Sequence, residues 1–529
     1  MRNTEFVDIC KQMDLLDFTI EYKSELESEW NNINWDLSKR HIFKLQEQIF
    51  HAVKENNDYR KARRFEDLLI KSESALLYSI KRVTQYNKGK RTAGVDNLCV
   101  ESDAMRMALF YKVKGVNINK MKVSPVKRTF INKSNGKKRP LGIPTITDRV
   151  VQMLVKLALE PRFEAVFEPT SYGFRPLRNA GHAIARIHQS TKYMGRKWIF
   201  EGDFKSCFDT LNHDWILQQL GNFPAKDIIQ SWLKAGYVHN NVFHESIKGT
   251  PQGGIISPLL ANIALHGMDE ALNVKYKQNK KGNYNNFSRY QIVRYADDFV
   301  VLCRKQEDAE NVYELLEPYL DKRGLSLASD KTFVTSIYDG FDFLGFNIRA
   351  YKTQTGDKVL ARPSNKSVKN FKTKVKRIFD ENKGNNVTEL IRRSNWLITG
   401  TANYWKQTAA KNTFHKADAY VWTLVRRFIK RSHPNKSWKW IRDKYFKEDY
   451  LGKHQDNYIL TDPENFELQL QKMSWTHIQY ARMIKHDCSP YDKKYAEYIK
   501  NKWGLTPYEC LYTKRKYDMI HSFTGKQYA

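Results

Sequence analysis

The stretch QIVRYADDFVVLC, residues 291–303, sets two adjacent aspartates, Asp297 and Asp298, between two runs of apolar and aromatic residues. Each run reads as a strand, because β-branched and aromatic side chains suit a pleated, buried surface. Two strands joined by so short a break form a hairpin with both carboxylates at its tip. Side by side, those charges repel unless a cation neutralises them. An aspartate pair in a turn is, taken alone, more often turn chemistry, since Asp bonds its own backbone there.

A second stretch shifts that balance. In KWIFEGDFKSCFDTLNHDW, residues 197–215, an apolar strand from Trp198 to Phe204 delivers Asp203 near its C-terminal end, just before a turn into a short helix. If that strand neighbours the hairpin, Asp203, Asp297 and Asp298 can share two oxygen-liganded metals ~3.5–4 Å apart, the clamp for in-line displacement at phosphorus. Three carboxylates on sheet elements then suggest nucleotidyl transfer.

Two further segments carry polar groups suited to a nucleotide. KGTPQGGIISPLLANIAL, residues 248–265, places Gly249, Gly253 and Gly254 around Gln252 ahead of a helix from Pro258. Glycines let backbone approach a ligand, and a glutamine can bond a base, sugar or phosphate. A mere helix entry is the plainer reading of this loop. VKRTFINKSNGKKRPLGIP, residues 126–144, gathers Lys127, Arg128, Lys133, Lys137, Lys138 and Arg139 around an Asn-Gly turn. A triphosphate would suit such a clamp; a solvated charged loop is the rival.

Composition agrees with a phosphate-rich partner. The 529 residues hold 89 Lys+Arg against 58 Asp+Glu, a formal charge of +31, with 41% hydrophobic and 13% aromatic residues, so the chain can bury cores and still carries a large basic excess. Nucleic acid is the first candidate, because neutralising phosphates releases counterions. No run approaches the ~20 apolar residues of a membrane span, and the opening MRNTEFVDICKQMDLLDF lacks signal-peptide architecture, so a soluble, cytoplasmic chain without membrane contact is expected. Six scattered cysteines without a C-x-x-C pair fit reduced packing residues.

The charge is uneven. Residues 361–440 carry nineteen basic and four acidic side chains, residues 1–40 five and nine. Periodicity predicts helices in the N-terminal third, on a stripe through Ile42, Leu45, Ile49, Phe50 and Val53 and on through Phe65, Leu68, Leu69, Leu76, Ile80 and Val83. Short strands alternate with helices in the middle third, an α+β or α/β pattern. After about residue 350 helices return: Val368, Phe371, Val375, Ile378 and Phe379 oppose Lys366, Lys369, Lys372, Lys376 and Arg377. Phe414, Ala417, Val421, Leu424, Val425 and Phe428 lie beside Arg426, Arg427, Lys430 and Arg431. One such face is ordinarily solvated; two in succession point to phosphate contact.

In order, these segments resemble reverse transcriptases of the group II intron-encoded type, the maturases. The resemblance runs from RRFEDLLIKSESALLYSIKRVTQYNKGKRTAGVDN through KRPLGIPTITDRVVQMLVKLALEPRFEAVFEPTSYGFRP, EGDFKSCFDTLNH, GTPQGGIISPLLANI, RYADDFVVLC and GFDFLGFNI to WLITGTANYWKQTAAKNTF and RRFIKRSHPNKSWKWI, over about residues 40–445. It implies an α+β right-hand polymerase: a helical N-terminal extension (1–100), fingers and palm (101–350), a helical thumb or maturase X domain (351–445) and a small DNA-binding region (446–529). Asp203, Asp297 and Asp298 would hold two Mg²⁺ ions. Phe208 would screen the sugar 2′ position, Lys133 and Arg139 would hold the dNTP triphosphate, Gln252 would lie beside the nascent pair, and Lys331 near the leaving pyrophosphate. Cys207 departs from the aromatic usual before Phe208. Implied partners are a group II intron RNA, a primer–template duplex, dNTPs and target DNA; the sequence leaves the oligomeric state open. Many relatives end in an HNH nuclease, whereas the tail YIKNKWGLTPYECLYTKRKYDMIHSFTGKQYA, residues 498–529, offers one cysteine, Cys510, and one histidine, His521, so no nuclease is expected. Alternatives are a free-standing relative in phage defence or repair and a splicing-only maturase. Trp396, Tyr404, Trp405, Trp422, Trp438 and Trp440 read mainly as thumb-core aromatics, with about two of the six expected to touch RNA.

Overall fold

The computed structural model describes residues 6–9, 12–132, 136, 138–192, 195–240, 242–250, 253–280, 284–384 and 386–513. Its N-terminal helices begin where short polar side chains accept the first free amides: Asn34 caps Trp35–Lys54, Asp58 caps Tyr59–Ile70 and Ser72 caps Glu73–Lys81. Ile42, Ile49, Phe50 and Val53 are buried along one stripe. Leu68 departs from it at 55% exposure, because the pattern is two helices that end and restart at Lys71 and Ser72.

β1 (Val126–Asn132) and β2 (Lys138–Ile143) form the basic hairpin, and the helix Ile146–Glu164 follows. β3 (Trp198–Asp203) comes next, then β4 (Tyr237–His239) and β5 (Val242–His244), which return to β1 and complete a sheet of order β2-β1-β4-β5. A small hairpin, β6 (Tyr276–Gln278) and β7 (Tyr284–Asn286), precedes β8 (Gln291–Tyr295) and β9 (Asp298–Cys303). With β10 (Phe333–Ser336) these build a second sheet, β10-β3-β9-β8. A three-stranded meander, β11 (Phe341–Phe343), β12 (Phe346–Thr353) and β13 (Gly356–Pro363), carries strand structure past residue 350 before the helices Asn365–Glu381, Val387–Trp405 and Lys411–Ser432.

The second sheet is buried on both faces. Phe200, Phe299, Val301 and Cys303 belong to a core shared with the N-terminal helices, while Ile199, Val293, Val300 and Leu302 belong to a core shared with the C-terminal helices. That explains the nearly continuous apolar runs in β3, β8 and β9. Five described cysteines are free thiols, four of them buried, and no described helix is long and apolar enough to cross a membrane.

The described part of 446–529 turns back onto the body. The Tyr491 hydroxyl bonds Glu160 at 2.8 Å, that of Tyr508 bonds Asp36 at 2.6 Å, and that of Tyr512 meets Gln46. These three tyrosines therefore face the body, while Tyr450, Phe466, Tyr480, Lys493 and Lys500 stay exposed.

Candidate active site

β3 runs antiparallel to β9 in a register that sets Asp203 opposite Asp298. Such partners share one face of a sheet, with Cβ atoms ~4.5–5.5 Å apart. Asp297 sits one residue earlier, in the turn after Tyr295. Through residues 291–303 every side chain is buried except those of Asp297 and Asp298, so the hairpin surfaces only at its carboxylates.

Glycines fix the approach of the neighbouring elements. A Cβ on Gly202 would lie 2.1 Å from the Phe299 ring, which crosses β3 there and stacks on Phe204 at 5.0 Å. A Cβ on Gly173 would lie 2.4 Å from the Ala296 nitrogen, against a turn whose Ala296 adopts φ +58°. Gly249, at φ +86°, lets its loop close on the turn after Asp203: Thr250 N–H donates to the Phe208 carbonyl at 2.6 Å, and Gly249 N–H to that of Leu211 at 2.8 Å. Gly253 brings the same loop onto β2, where any Cβ would lie 2.6 Å from the Gly142 carbonyl oxygen. The two sheets are thus joined by one glycine-dependent loop.

Lys331 reaches this place from a tight turn. The Asp203 carbonyl accepts from Ala328 N–H at 2.8 Å, Lys331 N–H donates to Ala328 at 3.0 Å, and Lys331 Nζ lies 3.1 Å from Asp203 Oδ2. The hydrogen bond to Asp203 raises the ammonium above its ordinary pKa. As the side chains lie, no group of three or more His, Cys, Asp or Glu among the described residues could hold a metal ion. Like charges repel unless a cation neutralises them, and at Asp203 the Lys331 ammonium is that cation. An all-oxygen donor set already paired with a cation fits a hard divalent metal.

Phe208 is 9% exposed and packs into the core shared with the N-terminal helices. Arg139 is half-buried on β2, opposite Ile131. Lys133 and Gln252 lie outside the described residues.

Sequence reasoning missed the support beneath the hairpin. Arg294, 1% exposed, donates to Asn262 Oδ1 at 3.1 Å and to the Ala296 carbonyl at 3.3 Å, and it lies 3.5 Å from Glu168 Oε2. Asn262 in turn donates to the Gly173 carbonyl at 2.8 Å. Glu168 Oε1 accepts from the amides of Gly267 and Asp269, both at 2.9 Å. Burial pushes the Glu168 carboxyl up, but the His266 hydrogen bond and charge and the Arg294 charge outweigh it and hold the group ionised. Burial and the Glu168 charge drive neighbouring Asp269 the other way. An arginine inside an otherwise apolar strand was the available signal.

The helix Asn365–Glu381 buries Phe371, Val375 and Phe379 and exposes Lys366, Lys369, Lys376 and Arg377; Lys372 is half-buried with its ammonium 5.1 Å from the Tyr420 ring. Arg377 also pairs with Glu381 at 2.5 Å. Arg426, Arg427, Lys430 and Arg431 are exposed on Lys411–Ser432, although Lys430 Nζ donates to the Pro434 and Lys436 carbonyls. Of the six aromatics, Trp405 is 2% exposed, whereas Trp396 is 81% and Trp438 38% exposed. Trp396 falls on the helix face with Arg392 and Gly400, away from buried Leu390, Ile391 and Ile398.

Comparison with known proteins agrees with this architecture. Residues 131–348 match the family model for reverse transcriptase (RNA-dependent DNA polymerase), residues 30–113 that for the N-terminal domain of reverse transcriptase, and residues 368–446 that for the group II intron maturase-specific domain. The chain is similar to Protein YkfC of Escherichia coli (strain K12), 31% identical over 322 residues covering 55% of this chain and 84% of that one. It is similar to the group II intron-encoded protein LtrA of Lactococcus lactis subsp. cremoris, 35% identical over 305 residues covering 46% of this chain and 50% of that one. An uncharacterized 91 kDa protein in a cob intron of Schizosaccharomyces pombe is 27% identical over 474 residues, 74% of this chain and 57% of that one. The chain therefore spans about half the length of LtrA.

Proposed function

We propose, for a chain that belongs to the group II intron-encoded reverse transcriptase and maturase family, that it copies RNA into DNA at the Asp203–Asp298 pair and binds a group II intron RNA through its C-terminal helices. The observation that carries the polymerase reading is the register that sets these two aspartates face to face, with Lys331 on one of them.

The reaction is attack of a primer 3′-OH on the α-phosphorus of a dNTP, with pyrophosphate leaving. Asp203, Asp297 and Asp298 are the residues that would hold two divalent ions, Mg²⁺ by donor chemistry, whose charge would stabilise the attacking and leaving oxygens. The sheet, buried on both faces, keeps those carboxylates from shifting as charge develops. Lys331, beside Asp203, stands ready for the negative charge of the pyrophosphate. Phe208, buried five residues after Asp203, would screen the sugar 2′ position. Arg139, on the basic hairpin, serves the triphosphate together with Lys133, and Gln252 serves the new base pair.

In the thumb, Lys366, Lys369, Lys376, Arg377, Arg426, Arg427 and Arg431 give a backbone-reading surface for the RNA and for the primer–template duplex. Intron mobility into target DNA follows as part of the same proposal, with Lys493 and Lys500 on the C-terminal segment available to DNA phosphates. The test is primer extension on an RNA template. Asp297→Ala should abolish cDNA synthesis and leave intron RNA binding and assisted splicing intact; loss of both activities, or of neither, overturns the assignment of roles.

A further inference from the structure

The segment from Gly249 to Ile255, in which Gln252 falls, is gripped at both ends by buried polar side chains that lie outside the carboxylate site. At one end His213, 6% exposed at the start of the helix His213–Leu220, sets its Nε2 2.6 Å from the Gly249 carbonyl oxygen. That oxygen can only accept, so Nε2 carries the proton. Burial lowers the imidazole pKa and keeps the ring neutral, with one hydrogen to give. At the other end Gln152, 2% exposed on the helix Ile146–Glu164, accepts the Ile255 N–H on Oε1 at 2.9 Å. A Cβ on Gly254 would lie 2.7 Å from Ser257 Oγ and 3.2 Å from Gln152 Oε1, so the chain passes this anchor without slack.

The helix His213–Leu220 does not need the imidazole for its own start, because the Asn212 side chain already accepts from the amides of Asp214 and Trp215. Burying two polar side chains to hold one short loop carries a desolvation cost that an apolar contact would avoid. What the hydrogen bonds add is direction. Both backbone polar groups of Gly249 are taken up within three residues, its N–H by the Leu211 carbonyl at 2.8 Å and its carbonyl by His213. The next amide, that of Thr250, donates to the Phe208 carbonyl at 2.6 Å. A slip of this loop is therefore passed directly to Phe208.

We propose that His213 and Gln152 are positioning residues, which clamp the two ends of this loop so that Phe208 and the segment containing Gln252 select the incoming nucleotide. The proposal rests on the polymerase reading and extends it to two side chains that touch no reacting atom.

The test is single-nucleotide extension of a primer on an RNA template, comparing the correct dNTP with the matching rNTP and with a mispaired dNTP. His213→Leu should lower kcat for the correct dNTP by up to about 100-fold, the cost of a misplacement of about 1 Å. Its advantage over both wrong substrates should narrow by about tenfold, while KM for the primer–template stays unchanged. His213→Gln, whose side-chain amide extends to where Nε2 lies, should regain most of the loss, and the shorter His213→Asn should behave as leucine. Gln152→Met should give the leucine pattern, and the double variant should lose less than the product of the two single losses, because both act on one loop. Equal loss on right and wrong substrates, rescue by asparagine as good as by glutamine, or fully multiplicative losses overturn the clamp and leave two structural contacts. Where thermal melts show that leucine prevents folding, the glutamine and asparagine variants decide. A wild-type chain that extends no primer removes the polymerase reading and this role with it. A wild type that extends primers, matched by His213→Leu in rate and selectivity, removes the clamp alone.

Discussion

The Arg294 guanidinium lies 3.5 Å from the Glu168 carboxylate in the interior beneath the turn that carries Asp297 and Asp298. Through Asn262 and the Ala296 carbonyl the same arginine grips both the turn and the segment at Gly173 packed against it. It touches no reacting atom, so its part is to position the hairpin. Arg294→Met should leave the buried Glu168 carboxylate without its guanidinium partner, costing about 3–5 kcal/mol in stability. Turnover should fall while the KM for dNTP changes little, because the carboxylates move and the triphosphate contacts do not. Glu168→Gln in that background should regain part of the stability. Denaturant melts and steady-state extension read both; an unchanged turnover would reduce Arg294 to a structural ion pair.

In the proposed site Phe208 screens the sugar, so shortening it should open the position where a ribose 2′-OH would clash. Phe208→Val should let rNTPs in and lower the dNTP preference by up to about 100-fold, the range over which a pocket excludes one hydroxyl. Competing dNTP and rNTP incorporation on one template measures it, and an unaltered ratio would remove Phe208 from the sugar gate.

On the proposed reading, the exposed cations of Asn365–Glu381 act through phosphates. Affinity for RNA should fall steeply with salt, and the slope of log K against log salt should drop by about one for each of Lys366, Lys369 and Lys376 replaced by alanine. A slope equal to wild type in the triple variant would assign RNA binding elsewhere.

Trp405 and Trp396 share a helix and differ in environment. Trp405, 2% exposed and edge-on to Phe371 at 5.9 Å, should cost about 3–5 kcal/mol when changed to alanine. Trp396→Ala, at an 81% exposed position, should change stability by less than about 0.5 kcal/mol and instead lower RNA affinity. Thermal melts alongside RNA titrations separate the two.

His486 stacks on Tyr284 at 4.4 Å, and burial followed by the charges of Arg186 and Arg178 pushes its pKa from 6.5 down to about 3. The unfolded chain therefore binds a proton between those values that the native protein does not. Stability from this group is complete above about pH 6.5 and is lost as pH falls toward 3, at up to about 1.4 kcal/mol per pH unit. Urea melts at successive pH values should show His486→Phe less acid-sensitive than wild type; parallel curves would contradict the assignment.

Local pattern and local turn chemistry were enough to read the aspartate hairpin, the strand ending at Asp203, the glycine loop before Ser257 and the two basic helices, because each is set by spacing within about twenty residues. Lys331 came only from the family resemblance. The tertiary structure alone decided that Asp203 faces Asp298, that Lys331 lies on Asp203, that Arg294 is anchored by Glu168 across 126 positions, and that the tyrosines at 491, 508 and 512 bind the C-terminal segment to the N-terminal helices. Trp396 shows the same division: periodicity put it on an amphipathic helix, but which side of that helix is covered depends on packing partners far away in the chain. Side-chain spacing fixes what a segment is able to form, whereas the pairing of distant polar groups follows from which surfaces exclude water together, and no stretch of sequence contains that by itself.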